Sequence, residues 1–170
     1  MCIRDSNSPY LAFEWRAGKE GEFHQVHTRL IGEYNFPNAL AAVTIGHFFG
    51  VEAEKIDKAL NEYEPRNNRS QLKKTADNTL IIDAYNANPT SMLAAIGNFR
   101  NMQAEKKMLI LGDMRELGKD SAEEHQRIVD YLEEYGFEDV ILVGELFAAT
   151  RHTYTTYPDA PALIAALQKN

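Results

Sequence analysis

A period of two opens the chain. In residues 10–15, Tyr10-Leu11-Ala12-Phe13-Glu14-Trp15, the side chains Leu11, Phe13 and Trp15 share one face, the mark of a half-buried strand. Gly18 to Gly21 reads as a turn, and residues 22–30 form a second strand with Val26, Thr28 and Leu30 inward, so that the pair makes an antiparallel hairpin. The period then lengthens. Asn35-Phe36-Pro37-Asn38 opens a helix, with Asn35 placed to cap it and Pro37 in the first turn, where a missing N–H does no harm. Leu40, Val43 and Phe48 lie near one stripe of that helix, and Gly50 ends it. A second helix covers about residues 53–63, with Ile56, Leu60 and Tyr63 at helical spacing.

The polar, turn-rich stretch Glu64-Pro65-Arg66-Asn67-Asn68 predicts a domain boundary, dividing residues 7–65 from residues 66–170. Beyond it strands and helices alternate. Strands at 71–75 and 79–83 join through Ala76-Asp77-Asn78 as a hairpin. Strands at 107–111 and 139–143 are continuous apolar runs, as expected of strands buried on both faces. Helices are predicted at 90–102, at 122–135 behind a Ser121–Glu124 capping box, near 145–150 and at 160–168, with a weak strand near 153–156. This alternation predicts an α/β fold with a mostly parallel, doubly wound sheet. The chain stops on a helix where such a sheet would continue into a strand, so its C-terminus reads as truncated.

Composition narrows the function classes. Eighteen Lys and Arg against 25 Asp and Glu give a formal charge of -7, the wrong sign for a polyanion binder, so nucleic acid is not the expected partner. No apolar run approaches the roughly 20 residues that span a bilayer. The single cysteine, Cys2, leaves no internal disulfide and no Cys-rich zinc site. No apolar signal core follows Met1, which makes the cytoplasm the default location.

In open α/β sheets ligands bind beyond the carboxyl ends of the strands. Three predicted strands end in polar or glycine positions: 79–83 at Asp83 before Ala84-Tyr85-Asn86-Ala87-Asn88-Pro89, 107–111 at Gly112-Asp113-Met114-Arg115-Glu116-Leu117-Gly118, and 139–143 at Gly144-Glu145. A carboxylate at a strand end can accept hydrogen bonds from both hydroxyls of a ribose, and the asparagines offer donors and acceptors for amide groups beside a helix start. Each residue also has a plainer reading: Asp83 as a turn former, Asn88 as a helix cap, Asp113 and Glu116 as solvated loop acids, Arg69 as a surface charge, His125 as a packed or surface histidine. His24, His27, His47 and His152 show no metal-ligand spacing.

The stretches Asp83-Ala84-Tyr85-Asn86-Ala87-Asn88-Pro89-Thr90-Ser91-Met92, Gly112 to Gly118 and Gly32-Glu33-Tyr34-Asn35-Phe36-Pro37-Asn38-Ala39-Leu40-Ala41-Ala42 resemble the Mur ligases, and within them the branch that adds D-alanyl-D-alanine. The likeness covers roughly residues 20 to 168. It implies a Rossmann-like C-terminal ligase domain at 66–170, preceded at 7–65 by a β-hairpin and two helices from the end of the central ATP-binding domain. It also implies ATP-dependent amide synthesis for peptidoglycan, through phosphorylation of the terminal carboxylate of UDP-N-acetylmuramoyl-tripeptide and attack by the amine of D-alanyl-D-alanine. ATP and Mg2+ are the implied cofactors and a monomer the implied state. By the same resemblance Asn35 and Asn38 contact the adenine, Arg69 reaches the ATP phosphates and Asp83 holds the ribose. Asn86, Asn88, Thr90, Ser91, Asp113 and Glu116 lie towards the incoming dipeptide. No catalytic residue and no metal ligand is assigned to this segment, the Mg2+ ligands being expected upstream.

The departures are specific. The family's Gly-rich Lys-Thr loop, its magnesium ligands and its UDP-binding domain have no counterpart among these residues, nor has its late Lys-Gly-Ser strand. Asn68 stands where glycine usually precedes the arginine, Tyr34 where histidine often precedes the first adenine-contacting asparagine, and Ile82 where a second acid is frequent. Residues 1–6 fit nothing in the family and resemble a translated sequencing adapter. The competing readings are another Mur or folylpolyglutamate-type ligase, against which Tyr85-Asn86-Ala87-Asn88-Pro89 speaks, and a non-catalytic α/β binding module of the receiver type, for which no lysine stands near Gly144.

Overall fold

A computed structural model describes residues 9–66 and 68–168; the expected adapter segment lies outside the described residues. The chain forms two compact units, the first comprising residues 1–85 with 98–102 and the second residues 86–97 with 103–170.

In the first unit, strands β1 (Tyr10–Trp15) and β2 (His24–Ile31) form the predicted antiparallel hairpin, with Phe13 opposite Val26 and Trp15 opposite His24. The alternating face packs as its pattern requires: Leu11, Phe13, Trp15 and Val26 are buried with Ala39 and Val43 of α1 (Phe36–Phe48) and Ile56 and Leu60 of α2 (Ala53–Glu62). Phe36 sets its ring edge-on to Phe13 at 5.4 Å. The stripe expected on α1 is narrower than predicted. Val43 is buried, but Leu40 is exposed and Phe48 is 80% exposed, because α1 is apolar on nearly all sides and only one side meets this core. Tyr63, expected to extend the α2 stripe, lies beyond the helix end and is exposed.

The hairpin of β3 (Gln71–Lys74) and β4 (Thr79–Ile82) follows, pairing Gln71 with Ile82. Its turn is closed by the Thr75 N–H donating to the Asn78 carbonyl at 2.8 Å. Among the described residues β4 pairs with β3 and not with the parallel strands, which corrects the expectation that it opens the parallel sheet.

The second unit holds a three-stranded parallel sheet in the order β5 (Leu109–Gly112), β6 (Val140–Val143), β7 (Thr155–Tyr157). Crossovers run through α4 (Ser121–Glu134) and the short α5 (Glu145–Ala148), and α6 (Ala160–Leu167) closes the order. Its core joins Ile96 of α3 (Pro89–Asn101) to Met114, Ile128, Val129, Leu132, Val140, Leu142 and Phe147. β6 buries Val140 and Leu142 on one face and leaves Ile141 and Val143 half-buried on the other, and β5 is still less covered: Ile110 is 51% exposed while Leu109 and Leu111 turn towards the core. The Ser121–Glu124 capping box is also absent. A 3-10 turn over Gly118–Asp120 leads directly into α4, so the residue at the cap has helical dihedrals and no capping side chain.

Candidate functional site

Two aspartates follow strands of different sheets, not one shared rim: Asp83 after β4 in the first unit and Asp113 after β5 in the second. Their surroundings differ.

Around Asp83 the first unit gathers side chains from three stretches of sequence. β2 ends at Ile31, and Gly32 adopts φ +83°, a left-handed conformation that turns the chain into a 3-10 turn at Glu33–Asn35. A Cβ at Gly32 would come within 2.5 Å of the Tyr34 ring, so the glycine lets that ring lie against the backbone. The Tyr34 hydroxyl lies 2.7 Å from Ser70 Oγ and donates to Asp83 Oδ2 at 3.4 Å; the Ser70 hydroxyl also points at Asp83 Oδ2, at 3.5 Å. Asn35 Nδ2 donates to the Ile31 carbonyl at 2.8 Å and towards Ser70 Oγ at 3.4 Å, and its Oδ1 accepts from Asn38 Nδ2 at 3.2 Å. Thus Asn35, Asn38 and Asp83, assigned together by resemblance, are joined in one network through Ser70.

Within that network the roles divide. Asn35 is buried and its amide is committed to internal partners, whereas Asn38 and Asp83 are exposed. The predicted helix cap by Asn35 is replaced by its bond to Ile31, since the preceding turn already supplies helical geometry. Burial raises the Tyr34 pKa above its ordinary 10; the Ser70 hydrogen bond opposes this, while the charge of Asp83 and its hydrogen bond add to it. The phenol is therefore a neutral O–H donor at physiological pH.

Arg69 lies on the strained strip leading to β3. Asn68 and Ser70 on either side have φ +56° and +47°, a region few non-glycine residues occupy. Asn68 stands where the family usually has glycine, and its dihedral supplies the reason: the position is left-handed, and asparagine tolerates that better than most. The Asn68 carbonyl accepts the Ala84 N–H at 2.8 Å, tying this strip to the residue after Asp83. The Arg69 guanidinium lies 3.8 Å from the centre of the Tyr85 ring, a cation–π contact that parks the charge beside the loop.

The second unit carries the residues assigned to the dipeptide side. Asn88 behaves as a helix cap: its Oδ1 accepts the Ser91 N–H at 3.0 Å, and the Ser91 hydroxyl donates to the Asn88 carbonyl at 3.1 Å. Asn86, Thr90 and Glu116 are exposed, Glu116 with φ +67°. Asp113, expected on the dipeptide side, accepts hydrogen bonds from the backbone of the neighbouring turn. Its Oδ2 accepts the Leu146 N–H at 3.1 Å and its Oδ1 the Phe147 N–H at 3.0 Å. Gly144, φ +124°, makes this possible, because a Cβ there would fall onto the Asp113 carboxylate. Behind the same loop lies His125, fully buried and edge-on to Phe147 at 4.7 Å. Its Nε2 accepts the Met114 N–H at 3.0 Å and its Nδ1–H donates to the Ser121 carbonyl at 2.6 Å, the tautomer of a neutral imidazole. Asp113 Oδ1 lies 4.0 Å from Nε2, but that nitrogen's lone pair already receives the amide hydrogen.

Sequence reasoning passed over Tyr34, Ser70 and Tyr85. The available signal was adjacency: Tyr34 precedes Asn35, Ser70 follows Arg69 and Tyr85 lies two residues past Asp83. Open clefts of about 450 Å³ beside Glu133 and Tyr154 and about 380 Å³ beside Trp15 and His47 contain none of the predicted residues.

Comparison with known proteins matches this arrangement to a family. The family model described as Mur ligase, glutamate ligase domain, matches residues 68–169. The UDP-N-acetylmuramoyl-tripeptide–D-alanyl-D-alanine ligase of Treponema pallidum is 38% identical over 103 residues, 61% of this chain and 22% of its own length. That of Bacillus subtilis is 45% identical over 91 residues, 52% of this chain and 20% of its own. The crystal structure of MurF from Acinetobacter baumannii superposes with a TM-score of 0.76 at 31% identity, covering 95% of this chain and 36% of that one. The chain thus spans between a fifth and about a third of the length of these relatives. With the family model covering more than half of it, and the fold shared along almost its whole length, the chain belongs to the Mur ligase family.

Proposed function

We propose that this chain is part of a ligase that joins D-alanyl-D-alanine to UDP-N-acetylmuramoyl-tripeptide with ATP, in peptidoglycan synthesis. One observation carries the reading: Asn35 and Asn38, after β2, and Asp83, 45 to 48 residues further along after β4, meet through Ser70 in a single hydrogen-bonded network. Asp83, exposed, accepts the ribose hydroxyls; Asn38 presents its amide to the base, with Asn35 holding it in place; Arg69 swings from the Tyr85 ring to the phosphates. MurF of Thermotoga maritima, whose structure was solved in complex with ADP, shares the fold with a TM-score of 0.76 at 17% identity.

In the proposed reaction the γ-phosphoryl group passes to the tripeptide carboxylate, the amine of D-alanyl-D-alanine attacks the activated carbon, and the C–O bond to phosphate breaks as the amide forms. The demand on the protein is positional and electrostatic. Asn86, Thr90 and Glu116, exposed on the second unit, supply polar groups for the dipeptide, while Asn88, Ser91 and Asp113 hold their loops. Mg2+ is placed in the rest of the ligase by the family resemblance, and no step is routed through this chain's acids. A monomer in the cytoplasm completes the proposal; no described helix is long and apolar enough to cross a membrane.

Phosphate release tests it. The 170-residue chain alone is expected to show no ATP turnover, and the complete ligase containing it to release phosphate only when both UDP-linked tripeptide and D-alanyl-D-alanine are present. Robust turnover by the chain alone, or a complete enzyme indifferent to D-alanyl-D-alanine, overturns the reading.

A further inference from the structure

We propose that Tyr34 is a positioning residue that fixes the Asp83 carboxylate for ribose recognition. This rests on the nucleotide site proposed above and adds a residue to it.

The argument is one of proton counting. Asp83 can only accept hydrogen bonds, and two hydroxyls, Tyr34 and Ser70, approach the same oxygen, Oδ2, at 3.4 and 3.5 Å. Those hydroxyls also lie 2.7 Å from each other, so one must donate to the other, leaving one proton for the carboxylate. If Ser70 donates to Tyr34, Tyr34 donates to Asp83; if Tyr34 donates to Ser70, Ser70 donates to Asp83. Either relay ends on Oδ2: in the first Tyr34 makes the final bond, and in the second Tyr34 donates to Ser70 and so directs the Ser70 proton to the carboxylate; neither uses Oδ1, which is left to accept from a ligand. Asn35 Nδ2, 3.4 Å from Ser70 Oγ, extends the relay to the asparagine pair.

Three features hold the phenol for this purpose. Gly32 leaves room for the ring, since any Cβ there would press on it. Ser70 is buried in a left-handed conformation, which aims its hydroxyl at both partners. Burial keeps the phenol protonated, so the relay has its proton throughout the physiological range.

The test separates this role from the site itself. Adenosine and 2′,3′-dideoxyadenosine are titrated into the 170-residue chain and into its Tyr34→Phe and Asp83→Asn variants, with binding and folding both read from amide chemical shifts. The original chain is expected to prefer adenosine by about tenfold, and Tyr34→Phe to cut that preference to about twofold while leaving dideoxyadenosine binding unchanged. Asp83→Asn is expected to abolish the preference. If Asp83→Asn abolishes it and Tyr34→Phe leaves it intact, the positioning role is overturned and the nucleotide site stands. If the original chain binds no adenosine, or shows no preference, the nucleotide site falls and this role with it. A Tyr34→Phe chain that loses its native spectrum assigns Tyr34 to the fold alone and likewise overturns the proposal.

Discussion

Asp83 and Asp113 look alike in sequence, each an acid directly after an apolar strand and before a polar loop, but they do different work. Asp113 gives both carboxylate oxygens to backbone N–H groups of Leu146 and Phe147, locking the loop after β5 to the turn after β6. Among the described residues Asp83 receives hydroxyl contacts at 3.4 and 3.5 Å, both on one oxygen, and it is exposed. The strand-end rule locates acids near a ligand-binding edge; whether such an acid is free to meet a ligand depends on which backbone donors the neighbouring strand brings to it. In the second unit the parallel partner β6 delivers a helix start to Asp113. In the first, β4 pairs among the described residues with the antiparallel β3, and Asp83 meets side chains instead.

The largest expected effect breaks the locked side of this comparison. Gly144→Ala puts a methyl group onto the Asp113 carboxylate and asks an L-residue to hold φ +124°. The variant should lose about 3 kcal/mol or more of stability, read as a lower urea midpoint. An alanine chain with an unchanged midpoint would mean that the turn does not hold this geometry in solution.

Removing each carboxylate in turn sharpens the contrast. Asp113→Ala strands two N–H groups at the start of α5 and should cost about 1–2 kcal/mol, comparable to losing a helix cap. Asp83→Ala removes no such partner and should change stability by no more than about 0.5 kcal/mol. Equal costs in the two urea curves would erase the distinction between a locking acid and a binding acid.

How much of this was legible in the letters follows from the same contrast. Periodicity located the hairpin, the helices and β6 within a few residues, because burial on one face leaves a regular trace. It misjudged β5, whose apolar run predicts two covered faces while Ile110 is exposed, and α1, whose apolar surface exceeds what Leu11, Phe13 and Val26 can cover. Hydropathy reports how apolar a segment is and not how many neighbours it has. The acids and asparagines of the candidate site were named from the strand-end rule and the family resemblance, and the structure joins Asn35, Asn38 and Asp83 through Ser70. Tyr34 and Ser70 left no such trace, since their meeting requires the left-handed turn at Gly32 and the left-handed Ser70, and neither dihedral is written in a hydrophobic pattern. His125 carried an open reading as packed or surface, and its two backbone partners, Met114 and Ser121, settle it as packed.

The smallest expected effect concerns the unlocked side. Because its partly buried surroundings disfavour the phenolate, Tyr34 has a higher pKa folded than the ordinary 10 of an unfolded tyrosine. A raised pKa means that the folded state holds the proton more tightly, so this contribution to stability is complete below pH 10 and is lost as pH rises from there through the folded value. Urea midpoints of the original chain should therefore fall above pH 10 more steeply than those of Tyr34→Phe, which has no proton to lose, while the two chains keep a constant offset between pH 6 and about 9. Tyr154, raised by its own burial and by Glu133, contributes equally to both chains and cancels in the difference. Parallel curves above pH 10 would show that the Tyr34 phenol is as well solvated folded as unfolded. The buried relay from Asn35 through Ser70 to Asp83 would then lose the feature that keeps its proton in place.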